Sequence, residues 1–592
     1  MPSPNAQGEC PATASRGLSL WRVSTALIGA VALVTALLTT GVASAVAAPQ
    51  DSSARHAIGK IAVVPLDDRP VNMYAPAMTA KVAGFETSFP PRSELGRFTT
   101  PGDGPAVGDW LLHQQDADAY VVSVSMLAYG GLIASRTTGV STEQANQNVQ
   151  AIRKLRAQRP DAPILVFDTI QRLALTGLGG DKDYGDLVRQ WAILYDQVVN
   201  LGQEQFRAQL DSVRSQIPDD VIANYLAARK RNFDINQQMV RWVADGTISH
   251  LVLGEDDTAQ YGLERAERVQ LEQLVTELNV YDQVQIFPGA DEIDSLLVAR
   301  YVLQSLGVHP RIGVEYSGVG GSDWVPPLED ISFDKNIARH VAALGGSVVS
   351  PSEPNIIHLL VNTPSAEGGD HASELDRMVS RAKALLADGQ KVIVDDPLYV
   401  NRADHDLVAK MEARLPLTEL LSYSGWNTAG NSLGLALAQG VSRSALLSTS
   451  CRGVSVEQLT RAAVAQADYL LHRFVLDDRW KNQIQPAAYA AARAMGADPY
   501  NLDSQQAAQL EDFVRDRLVP ATRDFFQEHF AGKSVVLGSR GAARLSAPVV
   551  ALDSVEVRLP WPRLFETELE PSTTLGHVTA DPLGDRTCRT FS

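Results

Sequence analysis

Residues 61–72 read IAVVPLDDRPVN: four apolar residues of strand character run into a turn that carries Asp67, Asp68 and Arg69 and is closed by Pro70, with Asn72 just beyond. The same junction recurs along the chain. It appears as ILVFDTIQR at 164–172 (Asp168, Arg172), LVLGEDDTAQYG at 251–262 (Glu255, Asp256, Asp257) and VIVDDPLYVN at 392–401 (Asp395, Asp396). A fifth version, LLSYSGWNTAGN at 420–431, ends in amides, Asn427 and Asn431. Buried parallel strands read as unbroken Val/Ile/Leu runs, and open α/β sheets bind ligands outside the carboxyl ends of those strands. Acid-tipped strand ends in one chain therefore predict a carboxylate-lined cleft.

Working outward, apolar runs near 60–65, 85–89, 119–124, 163–167, 249–253, 283–287 and 311–315 alternate with segments of helical periodicity. A second set follows near 356–361, 391–394 and 419–423, with helices over 370–386 and 430–441. This βαβ rhythm specifies a parallel sheet. The strands are too many for one eight-stranded barrel. The expectation is therefore an α/β protein of two doubly wound parallel-sheet lobes, residues 59–308 and 309–450, with a helical insertion at 184–245. A C-terminal α+β accessory region would occupy 451–592. A (β/α)8-like barrel with an appended lobe is the alternative.

At 592 residues, 45% hydrophobic and 20% charged, the chain is globular and exceeds one ordinary core. Its net charge of -17 argues against a nucleic-acid partner, which needs a basic surface. Arg16 and Arg22 precede an apolar run from Val23 to Leu38 and an Ala-rich stretch to Ala48, which reads as an export signal over residues 1–48. An uncleaved anchor is the competing reading. Cleavage would leave a secreted protein with no membrane partner. Cys10 departs with the signal, leaving Cys451 and Cys588 as one potential bridge or as two thiols.

The acidic triplet Glu255, Asp256, Asp257 offers paired carboxylates for proton transfer, although one of them could simply cap the following helix. Asp67, Asp68 and Arg69 could hold substrate hydroxyls or form a rigid salt-bridged turn, and Asp395 and Asp396 pose the same choice. In YSGWNTAGNSLG, Trp426 offers a flat face and Asn427 and Asn431 offer amides suited to a sugar ring, with glycines that allow close approach. Tyr225, Arg229, Asn232 and Asn236 share one face of a helix in the insertion, either a solvated stripe or the underside of a lid. Tyr129 and Arg136, in MLAYGGLIASR, follow another strand and would line the same cleft. No EF-hand spacing, Cys/His grouping or nucleotide-binding motif occurs, so neither metal nor cofactor is expected.

Taken together, PLDDRPVN, YGGLIASR, GEDDTAQYG, PGADEID, YSGWNTAGNSLG and LPWPRLFE resemble the bacterial family catalogued as domain of unknown function 4127, over roughly residues 59–570. That resemblance implies one ancestral unit and no established activity. The residues themselves point to a secreted carbohydrate-active hydrolase acting on a small-molecule or polysaccharide substrate, with acid/base work at Asp256 and Asp257 beside Glu255. A substrate-assisted mechanism on a 2-acetamido sugar would suit the adjacent acids. Carboxyl groups about 5–5.5 Å apart would mark a retaining enzyme and about 6.5–9.5 Å an inverting one. An exported solute-binding protein and a metal-dependent hydrolase of amide or phosphate bonds are the other classes.

Overall fold

Ile61, Ala62, Val63 and Val64 are wholly buried, as their composition requires, and they form the second strand of an open parallel sheet. The computed structural model describes residues 57–175 and 184–582. The export signal and Cys588, and with it the proposed bridge to Cys451, lie outside the described residues.

The first sheet comprises β1 (Lys60–Val64), β2 (Glu86–Ser88), β3 (Ala119–Ser123), β4 (Ile164–Ile170), β5 (His250–Glu255) and β6 (Val284–Pro288), all parallel, in the order β2-β1-β3-β4-β5-β6. The chain steps from β1 outward to β2, then returns to the far side of β1 as β3, so the winding reverses between β1 and β3. Such a reversal opens a crevice at the strand tips. The second sheet contains β7 (Arg311–Tyr316), β8 (Ser347–Val349), β9 (Ile357–Val361), β10 (Lys391–Asp395) and β11 (Ser422–Ser424), in the order β11-β10-β9-β7-β8. Both sheets are open, which sets the barrel alternative aside and bears out two doubly wound lobes.

The lobes join through two helices. Ile293–Leu306 of the first packs on Ala429–Thr449 of the second. The approach is close because of glycine: a Cβ on Gly434 would stand 2.1 Å from Glu292 Cγ, and one on Gly430 would stand 2.2 Å from the Pro288 carbonyl oxygen. These glycines serve helix packing against the β6 tip, where the sequence had allowed approach to a ligand.

Beyond Ser455 the helices Val456–Phe474 and Ser504–His529, with a π-helical stretch Val475–Ile484 after the first, lead into an antiparallel sheet. It is built from β12 (Ser534–Arg540), β13 (Ala543–Arg558) and β14 (Glu568–Leu575), with β15 (Thr579–Pro582) paired to β13. Among the described residues no helix is long and apolar enough to cross a membrane.

The insertion is a packed layer and not a free lid. Its long helix Asp219–Ala244 lies against β4 and β5. Tyr225, Arg229, Asn232 and Asn236 on it are buried.

Candidate functional site

A cleft of about 490 Å³ opens where the strand tips of both sheets converge. From the first lobe come Arg69 after β1, Arg136 after β3, Arg172 after β4, Glu255–Asp257 at the end of β5 and Asp291 after β6. The second lobe supplies Glu329, Asn401, Asn427 and Asn431. The loop between β13 and β14 closes the wall with Trp561, Arg563 and Phe565, so the C-terminal region is part of the site and not merely accessory to it.

The lining is backbone-strained. Phe98, Asp257, Leu328, Asn401 and Asn427 all border the cleft with φ between 39° and 68°. The left-handed region costs an L-residue about 1–2 kcal/mol, least for Asn and Asp. Of the other described non-glycine residues, Asn279 and Asn355 share this conformation. Strain of this kind concentrates where a fold holds a ligand or catalytic group in place.

Each cleft acid named from the sequence meets an arginine. Arg136 Nη2 donates to Asp256 Oδ2 at 2.5 Å, while Asp257, turned by its φ of 39°, is ion-paired with Arg172. The adjacent aspartates thus diverge toward arginines that follow two different strands. Glu255 Oε1 accepts from Arg268 Nε at 3.0 Å, but its Oε2 is buried with no hydrogen-bond partner among the described residues. Burial pushes the Glu255 carboxyl well above the ordinary range; nearby Asp330 adds to this and Arg268 opposes it. Burial likewise raises Asp257 against the pull of Arg172.

Arg69 is the hub of the floor. Its Nε and Nη2 grip Asp67 at 2.9 and 2.7 Å, and its Nη1 and Nη2 grip Asp291 at 3.1 and 2.6 Å. Asn427 Nδ2 also donates to Asp291, at 3.2 Å. Asp291 is pushed up to about 6 by burial, with Arg69 opposing. Asn72 braces the same corner by donating to the Asp291 carbonyl at 3.1 Å and to Asp294 at 3.2 Å. Asp68 reaches the C-terminal wall, accepting from Trp561 Nε1 at 2.6 Å, and burial raises its carboxyl to about 6. Arg69 and Arg563 lie over the Trp561 ring, 5.0 and 4.5 Å from its centroid. Asn431 Oδ1 accepts from the backbone of Asp291 at 3.0 Å, and Glu329, raised to about 8 by burial, accepts from Gly430 N at 2.5 Å.

The structure therefore gathers Arg69, Arg136, Arg172, Glu255, Asp256, Asp257, Asn427 and Asn431 at the cleft and sets other sequence candidates behind it. Asp168 accepts from Ser125 and Asn236, each at 2.8 Å. Asn232 donates to Gln171 and to the Ser135 carbonyl, and Arg229 pairs with Glu267. Tyr129 lies under Arg231. Asp395 accepts from Ser432, while Asp396 accepts from Asn362, Asp404 N and Tyr423. Trp426 is buried and cannot offer a sugar platform to the cleft. Missed from the sequence were Asp291, Glu329, Asn401, Trp561 and Arg563. Asp291 and Trp561 fall in PGADEID and LPWPRLFE, where Asp291 is one of three acids and nothing local marks it or the lone Trp for pairing. Among the described residues no three His, Cys, Asp or Glu side chains are grouped to hold a metal ion.

The model of the family described as "Protein of unknown function (DUF4127)" matches residues 61–570. No curated protein matches the chain. Among solved structures, that of Phytolacca americana UGT2 complexed with UDP-2fluoro-glucose and pterostilbene has 11% identity and covers 69% of this chain and 99% of that one. Its TM-score is 0.16, a likeness too slight to carry argument.

Proposed function

We propose, for a chain that belongs to the DUF4127 family of proteins of unknown function, that the cleft hydrolyses glycosidic bonds outside the cell. The observation that supports this reading is a pair of neighbouring carboxyls in unlike environments: Glu255, buried with one oxygen unpartnered, and Asp256, ion-paired with Arg136. Environments that separate two carboxyls in this way assign acid and carboxylate roles. Glu255 is the proton donor to the leaving oxygen. Asp256 faces the developing positive charge at the anomeric carbon, either directly or through an attacking water. Asp257, held by Arg172, positions the substrate. The amide of Asn427, together with exposed Tyr500 at the rim, suits sugar hydroxyls and a ring face, while Asn431 is held by Thr428 and the Asp291 backbone.

The test is release of aryl alcohol from a panel of aryl glycosides that includes 2-acetamido sugars, with and without chelator. Chelator-resistant release should fall about 10²–10⁴-fold in Glu255→Gln, the range typical of a lost general acid. Asp256→Asn should lose activity to a similar degree. No release from any glycoside by the folded chain would overturn the reading. Binding without turnover is the second reading, favoured by the arginine partner of each cleft aspartate; calorimetric heats with the same sugars and no product would establish it.

A further inference from the structure

Arg172 is held more loosely than Arg69 and Arg563, and its side chain is more exposed than that of Arg136, which also meets its aspartate through Nη2 but is only 8% exposed. Arg69 and Arg563 are each gripped by bidentate carboxylates, Asp67 and Glu566. Arg172 instead meets Asp257 through Nη2, and its buried Nε has no hydrogen-bond partner among the described residues. Burying a charged donor without an acceptor leaves its desolvation uncompensated, so this guanidinium has unused binding capacity. Its backbone is fixed, since the Arg172 carbonyl accepts from Arg229 Nη1 at 3.0 Å, yet 26% of the side chain is exposed. The partner carboxylate is itself 24% exposed, so both members of the pair face the cleft.

We infer that the substrate carries a carboxylate, as a uronic acid does, and that Arg172 receives it. This rests on the carbohydrate reading of the same cleft. A planar carboxylate matches the guanidinium fork. A phosphate fits the same fork but carries nearly a second charge at neutral pH, and Asp256, Asp257 and Asp291 border the same space and oppose it. The ligand carboxylate takes up the Arg172 Nε hydrogen and competes with Asp257 for the rest of the fork.

The experiment is calorimetric titration of the full chain with glucuronate, galacturonate, glucuronamide, glucose and inorganic phosphate. Wild type is compared with Arg172→Gln and Arg172→Lys, each first shown to be folded by circular dichroism. At least one uronate should bind about tenfold or more tighter than its neutral counterparts, the gain expected of a charge-assisted hydrogen bond. Arg172→Gln should erase that preference and Arg172→Lys keep part of it. Equal binding of uronates and neutral sugars would overturn the inference while leaving the carbohydrate reading standing. Tighter binding of inorganic phosphate than of either uronate would replace the carboxylate with a phosphate ligand. No sugar binding at all would overturn both. A uronate preference that survives Arg172→Gln would move the carboxylate to another arginine and overturn the assignment to Arg172.

Discussion

Arg69 shows how a buried charge becomes obligatory. Its guanidinium satisfies Asp67 and Asp291 together, and all three side chains are less than a tenth exposed. Removing one partner of a buried ion pair strands the others, at a cost of about 3–5 kcal/mol. Arg69→Ala should therefore destabilise the chain by that order in denaturant titration, and adding Asp67→Asn and Asp291→Asn should recover much of the loss. Recovery would show that the charges, and not the volume of the arginine, carry the effect. The example also marks what the sequence could reveal. Asp67 sits two residues from Arg69, so their pairing was legible as a salt-bridged turn. Asp291 lies 222 residues away and was not, because nothing local to it announces an arginine. Glu255, Asp256 and Asp257 were legible because acids crowd a strand end, but their splaying toward Arg136 and Arg172 depends on a backbone torsion that composition does not encode.

Helix Ala429–Thr449 shows the same limit one level up. Its existence was legible from periodicity, though the expectation stopped at 441 and the helix runs eight residues further, through SRSALLST, whose buried Arg443, Ala445 and Leu446 keep it packed. Its position was not legible. Asn427, Gly430 and Asn431 at its start hold Asp291, Glu329 and the Asp291 backbone, so the helix start sets one wall of the cleft. Two effects compete at Gly434. Replacing a mid-helix glycine with alanine gains roughly 0.8–1 kcal/mol of helix propensity. The new methyl would lie 2.1 Å from Glu292 Cγ on a fully buried side chain, and overpacking of a core costs about 1–3 kcal/mol. The clash should win, so Gly434→Ala should lower the thermal midpoint and loosen the cleft. A raised midpoint would mean that the two helices can separate without penalty.

At the scale of the whole molecule, the two doubly wound lobes follow from the order of apolar runs, because each strand and its return helix are adjacent in sequence. The wall formed by Trp561 and Arg563 is not readable in this way, since it depends on a loop between antiparallel strands meeting Asp68 from the opposite end of the chain. Many carboxyls become buried by this assembly, and together they set the response to pH. Burial raises Asp168, Asp396 and Asp468 to about 7, and Glu264 and Glu329 to about 8. A carboxyl raised on folding binds its proton more tightly in the folded chain than in the unfolded one, so its contribution to stability is present at low pH and is lost as the pH climbs through the folded value. Two buried histidines act in the opposite direction. Burial lowers His472 to about 3 and also lowers His250, and their contribution is lost as the pH falls below the ordinary histidine value of about 6.5. Between pH 6 and 8.5 the five carboxyls dominate, because the histidines are neutral in both states over most of that range and Lys391 and Lys481, lowered by burial to about 8, oppose them only near its upper end. The thermal midpoint should therefore fall from pH 6 to pH 8.5 in differential scanning calorimetry. A midpoint that rises over that interval would mean that these acids find compensating cations or water in solution, and Glu255, buried by the same packing, would then lose its claim to be the protonated member of the cleft.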